Sequence, residues 1–214
     1  SAPCKNADKT IVYGVNEKIL TKDDQIISAA SCTTNCLAPV ANILNKTFEI
    51  EKGFMTTIHA FTSDQRILDN SHKDPRRARS AGQSIVPTST GASKAIGEII
   101  PSLKGKLEGI AMRVPVPNVS LIELVFCTNK ELDIEKINKA FSEAYKKQSK
   151  RVLEITREKL VSIDFNHNSA SAIVDLSLTS VVGKNMGKIS AWYDNEWGFS
   201  NRMCDIVEYV HKIS

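Results

Sequence analysis

The chain has 214 residues, 42% hydrophobic and 24% charged, with a formal net charge of +4. Those proportions belong to an ordinary globular protein and exclude a disordered chain and a coiled coil, and so small and scattered a positive excess offers no stripe for nucleic acid. Five cysteines, at 4, 32, 36, 127 and 204, are odd in number and show no C-x-x-C spacing, so reduced thiols in a cytoplasmic protein are expected rather than a zinc site or a disulfide framework.

Residues 10–15 (TIVYGV) read as a buried strand so close to the start that the chain looks entered midway. Residues 25–30 (QIISAA) read as a second strand, ending in Ser31, a helix N-cap that makes Cys32 the first helical residue. The helix presents Leu37, Val40, Ala41 and Leu44 on one face; Pro39 inside it predicts a kink or a division, and its end is expected near Asn45. Residues 53–61 (GFMTTIHAF), rich in β-branched and aromatic side chains, predict a strand that delivers His59 near its C-terminal end, beside Cys32.

Residues 62–83 form a long polar stretch holding Arg66, Lys73, Arg76, Arg77 and Arg79, and loops of that length are usually functional or interfacial. The cluster Thr88, Ser89, Thr90, Gly91 opens a helix that Pro101 stops. Residues 107–116 and 119–126 read as two strands broken by Pro115, Pro117 and Asn118, and are expected to be antiparallel neighbours. Asp133 caps an amphipathic helix with the face Ile134, Ile137, Ala140, Phe141 and Tyr145. Strands are predicted at 159–165, 171–178 and 188–193, then a closing helix from about Asn201 with Met203, Ile206, Val207 and Val210 in one stripe. The pattern predicts an α+β fold, a mainly antiparallel mixed sheet with helices on one face. No stretch is apolar and long enough to span a bilayer, so no membrane is expected among the partners.

Two chemical themes emerge. Cys32 at a helix N-terminus is either a core residue packed with Cys36 or a nucleophile whose pKa the free N–H groups lower. His59 is either a satisfied core histidine or its partner, whereas His72, His167 and His211 sit in polar turns or a last helical turn. A Cys32/His59 pair would suit acyl transfer or aldehyde oxidation, with the Cys32 N–H available to an oxyanion. The second theme is anion binding at two helix starts, Ser31 with Thr33 and Thr90 with Gly91, although ordinary capping also explains such residues. Arg113, between Met112 and Val114 in a strand, is a structural ion-pair partner or a substrate anchor.

Taken together, residues 28–36 (SAASCTTNC), 56–59 (TTIH), 88–92 (TSTGA), 113–115 (RVP) and 192–196 (WYDNE) closely resemble the phosphorylating glyceraldehyde-3-phosphate dehydrogenases, and the resemblance runs over the whole chain. It implies that Cys32 attacks an aldehyde, that His59 accepts the hydroxyl proton, that hydride passes to NAD or NADP, and that inorganic phosphate cleaves the resulting thioester. By the same resemblance Ser31, Thr33, Thr90 and Gly91 hold the attacking phosphate, Thr62, Asp64 and Arg113 belong to the site for the substrate's own phosphate, and Asn195 and Phe199 lie at the nicotinamide. The basic stretch 62–83 resembles a loop lining a neighbouring subunit's cofactor pocket in a homotetramer.

Three departures accompany these matches. Phe199 stands where the family commonly has Tyr, Asn70 and Ser71 replace a Leu-Pro pair typical of strictly NAD-using members, and no G-x-G-x-x-G occurs in the chain. Residues 1–28 are accordingly expected to be a remnant of a dinucleotide-binding domain, 29–199 the catalytic domain, and 200–214 a helix that packs on the cofactor domain and is otherwise left without its partner. The competing functions are an erythrose-4-phosphate dehydrogenase, a cofactor-free cysteine hydrolase using Cys32 and His59, and a redox module pairing Cys32 with Cys36.

Overall fold

The computed structural model describes residues 3, 4, 6–148 and 152–213. The chain begins with a short parallel ladder of β1 (Lys9–Thr10) on β2 (Ile27–Ser28). Ile11 and Val12 are fully buried, yet the strand expected over 10–15 stops at Thr10. The Asn16 side chain explains the stop: it accepts the Val12 N–H at 2.8 Å and donates to Thr10 O at 3.0 Å. Gly14, at φ +82°, completes a turn that a residue with a side chain would strain.

α1 (Cys32–Phe48) runs unbroken through Pro39, so the predicted division is absent and its end lies beyond Asn45. A proline inside a helix costs about 3 kcal/mol, through a lost hydrogen bond and the clash of its ring with the preceding turn; burying Leu37, Val40, Ala41 and Leu44 completely outweighs it, since each large apolar side chain contributes about 1.5–3 kcal/mol. β3 (Ile50–Ala60) follows, then the basic loop, β4 (Val86–Ser89) and α2 (Ala92–Ile99). Next come β5 (Leu107–Val114), β6 (Ser120–Thr128) and α3 (Ile134–Lys147), the last capped by the Asp133 carboxylate on Lys136 N–H. The chain closes with β7 (Leu153–Thr156), β8 (Ala172–Asp175), β9 (Ser180–Val182), β10 (Met186–Tyr193) and α4 (Trp197–Ile213).

Among the described residues β3 to β10 form one sheet in the order β4-β5-β3-β6-β10-β8-β7, with β9 also on β10. β3–β5 and β7–β8 are parallel and the other pairs antiparallel, which makes the fold α+β with a mixed, mainly antiparallel sheet. β5 and β6 are not neighbours as expected, because β3 lies between them. The link across residues 115–119 must step over two strand spacings, about 10 Å, a reach that a tight hairpin does not have; Val119 at φ +68° marks its end.

Residues 159–165 are not a strand either. Asp164 accepts the Val161 N–H and the chain coils into a 3₁₀ turn at Ser162–Phe165, stacking Phe165 on Trp192 at 5.2 Å. On the inward face of the sheet Met55, Ile122, Leu124, Phe126 and Ile189 pack with α1, α2 and α3. α4 starts at Trp197 rather than near Asn201, because the Asp194 carboxylate accepts the Glu196 and Trp197 N–H groups. Its stripe is partnered in part: Ile206 and Val210 pack with Ile11 and Leu20, whereas Val207 is 69% exposed.

Candidate active site

Ser31 Oγ accepts the Thr34 N–H at 3.1 Å, which fixes Cys32 as the first residue of α1. The turn out of β2 passes through Ala30, buried and at φ +57°, a conformation a non-glycine residue adopts only where its surroundings impose it. β3 ends against this turn, and His59 Nε2 stands 3.5 Å from Cys32 Sγ, as the strand reading predicts. Parallel pairing sets Arg113 of β5 opposite His59. An Arg113 Nη1 N–H points at His59 Nδ1 at 2.7 Å and donates to Ala60 O at 2.9 Å, while Nδ1 also lies 2.7 Å from Ala60 O.

The electrostatics differ from the simplest expectation. Burial raises the Cys32 pKa above that of an ordinary thiol, overriding the Thr33 backbone N–H and the Arg113 charge, which both pull it down. The helix start therefore moderates, and does not reverse, the desolvation of the thiolate. Burial, reinforced by the charge of Arg113, pushes His59 down to about 4, against a bonding contribution from Ala60 O that raises it. At neutral pH the pair is thus a thiol beside a neutral imidazole.

A cavity of about 540 Å³ opens over this pair and gathers most of the expected residues: Ser31, Cys32, Thr33, His59, Thr90, Gly91 and Arg113 all line it. Thr90 Oγ1 accepts the Ala92 N–H at 3.2 Å at the start of α2. Gly91, at φ −87°, is not held there by its backbone, and a Cβ on it would meet nothing within 4 Å. The buried Arg113 Nε has no hydrogen-bond partner, a donor left over for an anion.

Thr62 and Asp64 lie outside that lining, in the loop after β3. Thr62 is tied to Gln65 Oε1 through its N–H and hydroxyl, and Asp64 binds Arg77 at 2.7 Å. Asn195 is buried and accepts from Ser120 Oγ at 2.8 Å, while Phe199 is partly buried on α4.

Sequence reasoning missed four participants. Tyr193, fully buried, joins Thr33 Oγ1 at 3.0 Å and Thr57 Oγ1 at 2.8 Å, and meets the His59 ring edge to face. Ser120 Oγ accepts the Ala60 N–H at 3.0 Å while holding Asn195, so it links the end of β3 to the turn before α4. Arg77, seen only as one of several loop cations, also donates to Thr88 Oγ1 at 2.7 Å. Cys4 lines the same cavity as Cys32. Of these only Tyr193, an aromatic hydroxyl in a predicted buried strand, carried a sequence signal. Cys36 is fully buried with its thiol toward Ala191 O, and its pKa is raised well above the usual range, chiefly by burial.

Residues 31–195 match the family model described as glyceraldehyde 3-phosphate dehydrogenase, C-terminal domain. The chain belongs to that family. It is 54% identical over 205 residues to the glyceraldehyde-3-phosphate dehydrogenase of Cereibacter sphaeroides, covering 96% of this chain and 62% of the relative. With the enzyme of the same name from Xanthobacter flavus it shares 53% over 213 residues, 100% of this chain and 64% of the relative. A chloroplastic relative, glyceraldehyde-3-phosphate dehydrogenase GAPA1 of Arabidopsis thaliana, is 51% identical over 210 residues, 98% of this chain and 53% of its own length. The chain thus spans less than two thirds of the length of these glyceraldehyde-3-phosphate dehydrogenases. The family's C-terminal-domain match starts one residue before Cys32 and ends on Asn195, taking in His59, Thr90, Gly91 and Arg113 and leaving out β1, β2 and α4.

Proposed function

We propose that this chain is the catalytic portion of a phosphorylating glyceraldehyde-3-phosphate dehydrogenase, converting glyceraldehyde 3-phosphate to 1,3-bisphosphoglycerate through a thioester on Cys32. The observation that carries the reading is the Cys32–His59 pair at 3.5 Å in a cavity bordered by two helix starts and by an Arg113 donor without a partner. Cys32 Sγ adds to the aldehyde carbon while its S–H proton passes to the carbonyl oxygen, giving the hemithioacetal hydroxyl, and the Cys32 N–H at the helix start faces that oxygen as it gains charge. His59, held neutral, takes the hydroxyl proton of the hemithioacetal at Nε2 as the carbonyl re-forms. When bound, the nicotinamide of NAD or NADP supplies the acceptor for the hydride.

Asn195 and Phe199 would hold that ring. Asn195 fits the carboxamide, because Ser120 fixes its oxygen while its Nδ2 has only a 3.4 Å contact to Glu196 Oε1 and can still donate. Inorganic phosphate at Ser31, Thr33, Thr90 and Gly91 then attacks the thioester, forming a C–O bond and expelling the Cys32 thiolate. Thr62 and Arg113 hold the phosphate of the substrate, and Asp64 belongs to the same site by fixing Arg77 there through their ion pair. The outward sheet face, bearing Phe54 (49% exposed) with partly buried Ile58, Ile110, Met112, Leu121 and Val125, suits the homotetramer in a cytoplasmic enzyme. We assign residues 1–28 to the edge of the dinucleotide-binding domain, with α4 returning to pack there.

In a protein of the relatives' full length carrying this sequence, oxidation of glyceraldehyde 3-phosphate is expected to require phosphate and NAD or NADP, and to fall by orders of magnitude in Cys32→Ser and His59→Asn. Undiminished turnover in Cys32→Ser would overturn the assignment. Faster turnover of erythrose 4-phosphate would move it to the sister activity, and ester hydrolysis without cofactor to a hydrolase. The 214-residue chain by itself is expected to show no micromolar heat of NAD binding in isothermal titration; ordinary binding would refute the division of labour between domains.

A further inference from the structure

α2 carries its charges in the unfavourable order. Lys94 is the third residue of the helix and Glu98 the seventh, with no acidic side chain in the first turn and no basic one in the last. The macrodipole of a helix favours the reverse at both ends. The two side chains do not compensate each other either. They lie four residues apart, a spacing at which opposite charges on a helix can pair, yet among the described residues neither Lys94 nor Glu98 takes part in an ion pair or a side-chain hydrogen bond. A local arrangement that opposes its own helix, with no contact in return, points to a use outside the helix.

Both side chains line the cavity over Cys32 and His59. They also border a neighbouring groove with Lys104 and Lys106, so they stand on the ridge that α2 makes between the two openings. Of the residues lining the cavity, Lys94 and Arg113 are the cationic ones and Glu98 the anionic one, since His59, at about 4, is neutral. Arg113 is committed to β5, where it lies against His59 and donates to Ala60 O. The residues assigned to the attacking phosphate, Ser31, Thr33, Thr90 and Gly91, are all uncharged. They present hydroxyls and helix-start N–H groups to a ligand that carries about two negative charges at neutral pH.

We propose that Lys94 is a specificity-determining residue of the inorganic-phosphate site, supplying from the rim the positive charge that the donors inside it lack, and that Glu98, one turn further on, opposes it. The inference rests on the reading of Ser31, Thr33, Thr90 and Gly91 given above. Lys94 is exposed, so its pull is that of a solvated ammonium: about two- to fivefold in affinity, the range of an exposed ion pair, and screened by salt. α2 thereby gives up part of its own electrostatic stability to set a cation beside the incoming anion. Lys104 edges the groove but not the cavity, and has no such part.

The test is titration of the ¹⁵N-labelled 214-residue chain with inorganic phosphate, followed by the amide shifts of Thr33, Gly91 and Ala92, at low ionic strength and in about 1 M sodium chloride, where the Debye length is about 3 Å. At low ionic strength Lys94→Gln should raise the Kd about two- to fivefold, Glu98→Gln should lower it, and Lys104→Gln should leave it unchanged. The differences should vanish in high salt, and Lys94→Gln should melt no lower than wild type. An unchanged Kd in Lys94→Gln overturns the inference, as does an equal weakening in Lys104→Gln, a loss that persists in high salt, or a lower melting temperature, which would give Lys94 to the fold. A Kd that does not fall in Glu98→Gln overturns the part assigned to that residue. If phosphate moves none of the three amides in wild type, the phosphate site itself is refuted and this inference with it; amides that respond with the same Kd in wild type and Lys94→Gln refute this inference alone.

Discussion

His59→Gln is the sharpest probe of how the site is held. The ring titrates at 6.5 in an unfolded chain and at about 4 in the folded one, so between those values the unfolded state binds more protons than the native state. Stability must therefore fall as pH drops through that window; the full gap corresponds to about 3 kcal/mol, and about 2 kcal/mol of it is already lost between pH 7 and pH 5. Cys32 stays a thiol throughout this range, because its pKa is raised rather than lowered, so it adds no slope. Urea unfolding of wild type and His59→Gln at pH 7 and pH 5 isolates the contribution, since every other titrating group cancels in the difference. Wild type should lose about 2 kcal/mol more than the variant on acidification. Parallel losses, or a His59 NMR titration centred near 6.5, would refute the account of a buried imidazole opposed by Arg113.

Tyr193→Phe removes the hydroxyl that Thr33 and Thr57 share, leaving two buried hydroxyls without it at a cost of about 1–3 kcal/mol, readable by thermal or urea unfolding. Gly91→Ala should leave stability within about 0.5 kcal/mol, because neither its φ nor its surroundings require glycine. In the longer enzyme, steady-state assays of the same variant should show a raised KM for phosphate with little change for the aldehyde; an unchanged phosphate KM would remove Gly91 from the anion site.

The placement of Cys32 and His59 was legible because it depends on local rules. A short hydroxyl residue after a strand begins a helix, and a run of β-branched residues ends where its last side chain emerges, so both termini could be located and their meeting inferred. What was not legible depends on partners distant in sequence. Nothing in residues 107–126 announces that β3 will separate β5 from β6, yet that insertion is what sets Arg113 opposite His59. The burial of Cys32 was hidden for a related reason. The helix start was visible, but the burial that outweighs it comes from the elements closed around it. Residues 159–165 had the composition of a strand, and a single Asp164 side-chain bond to the backbone converted them to a turn. For α4, Ile206 and Val210 of the expected stripe do pack but Val207 is exposed, and the cover by Ile11 and Leu20 was hidden in a segment assigned to another domain.

The bond between Thr33 and Tyr193 spans 160 residues. Contacts between parts of a chain so far apart form late, because loop closure has to precede them. A ribosome releasing this chain exposes α1 long before β10 exists to bring Tyr193 against Thr33. Until then the Cys32 thiol has neither the enclosure nor the neighbours that raise its pKa. The surroundings of Cys32 are complete only with the last strand, so a half-folded chain carries the cysteine without its setting.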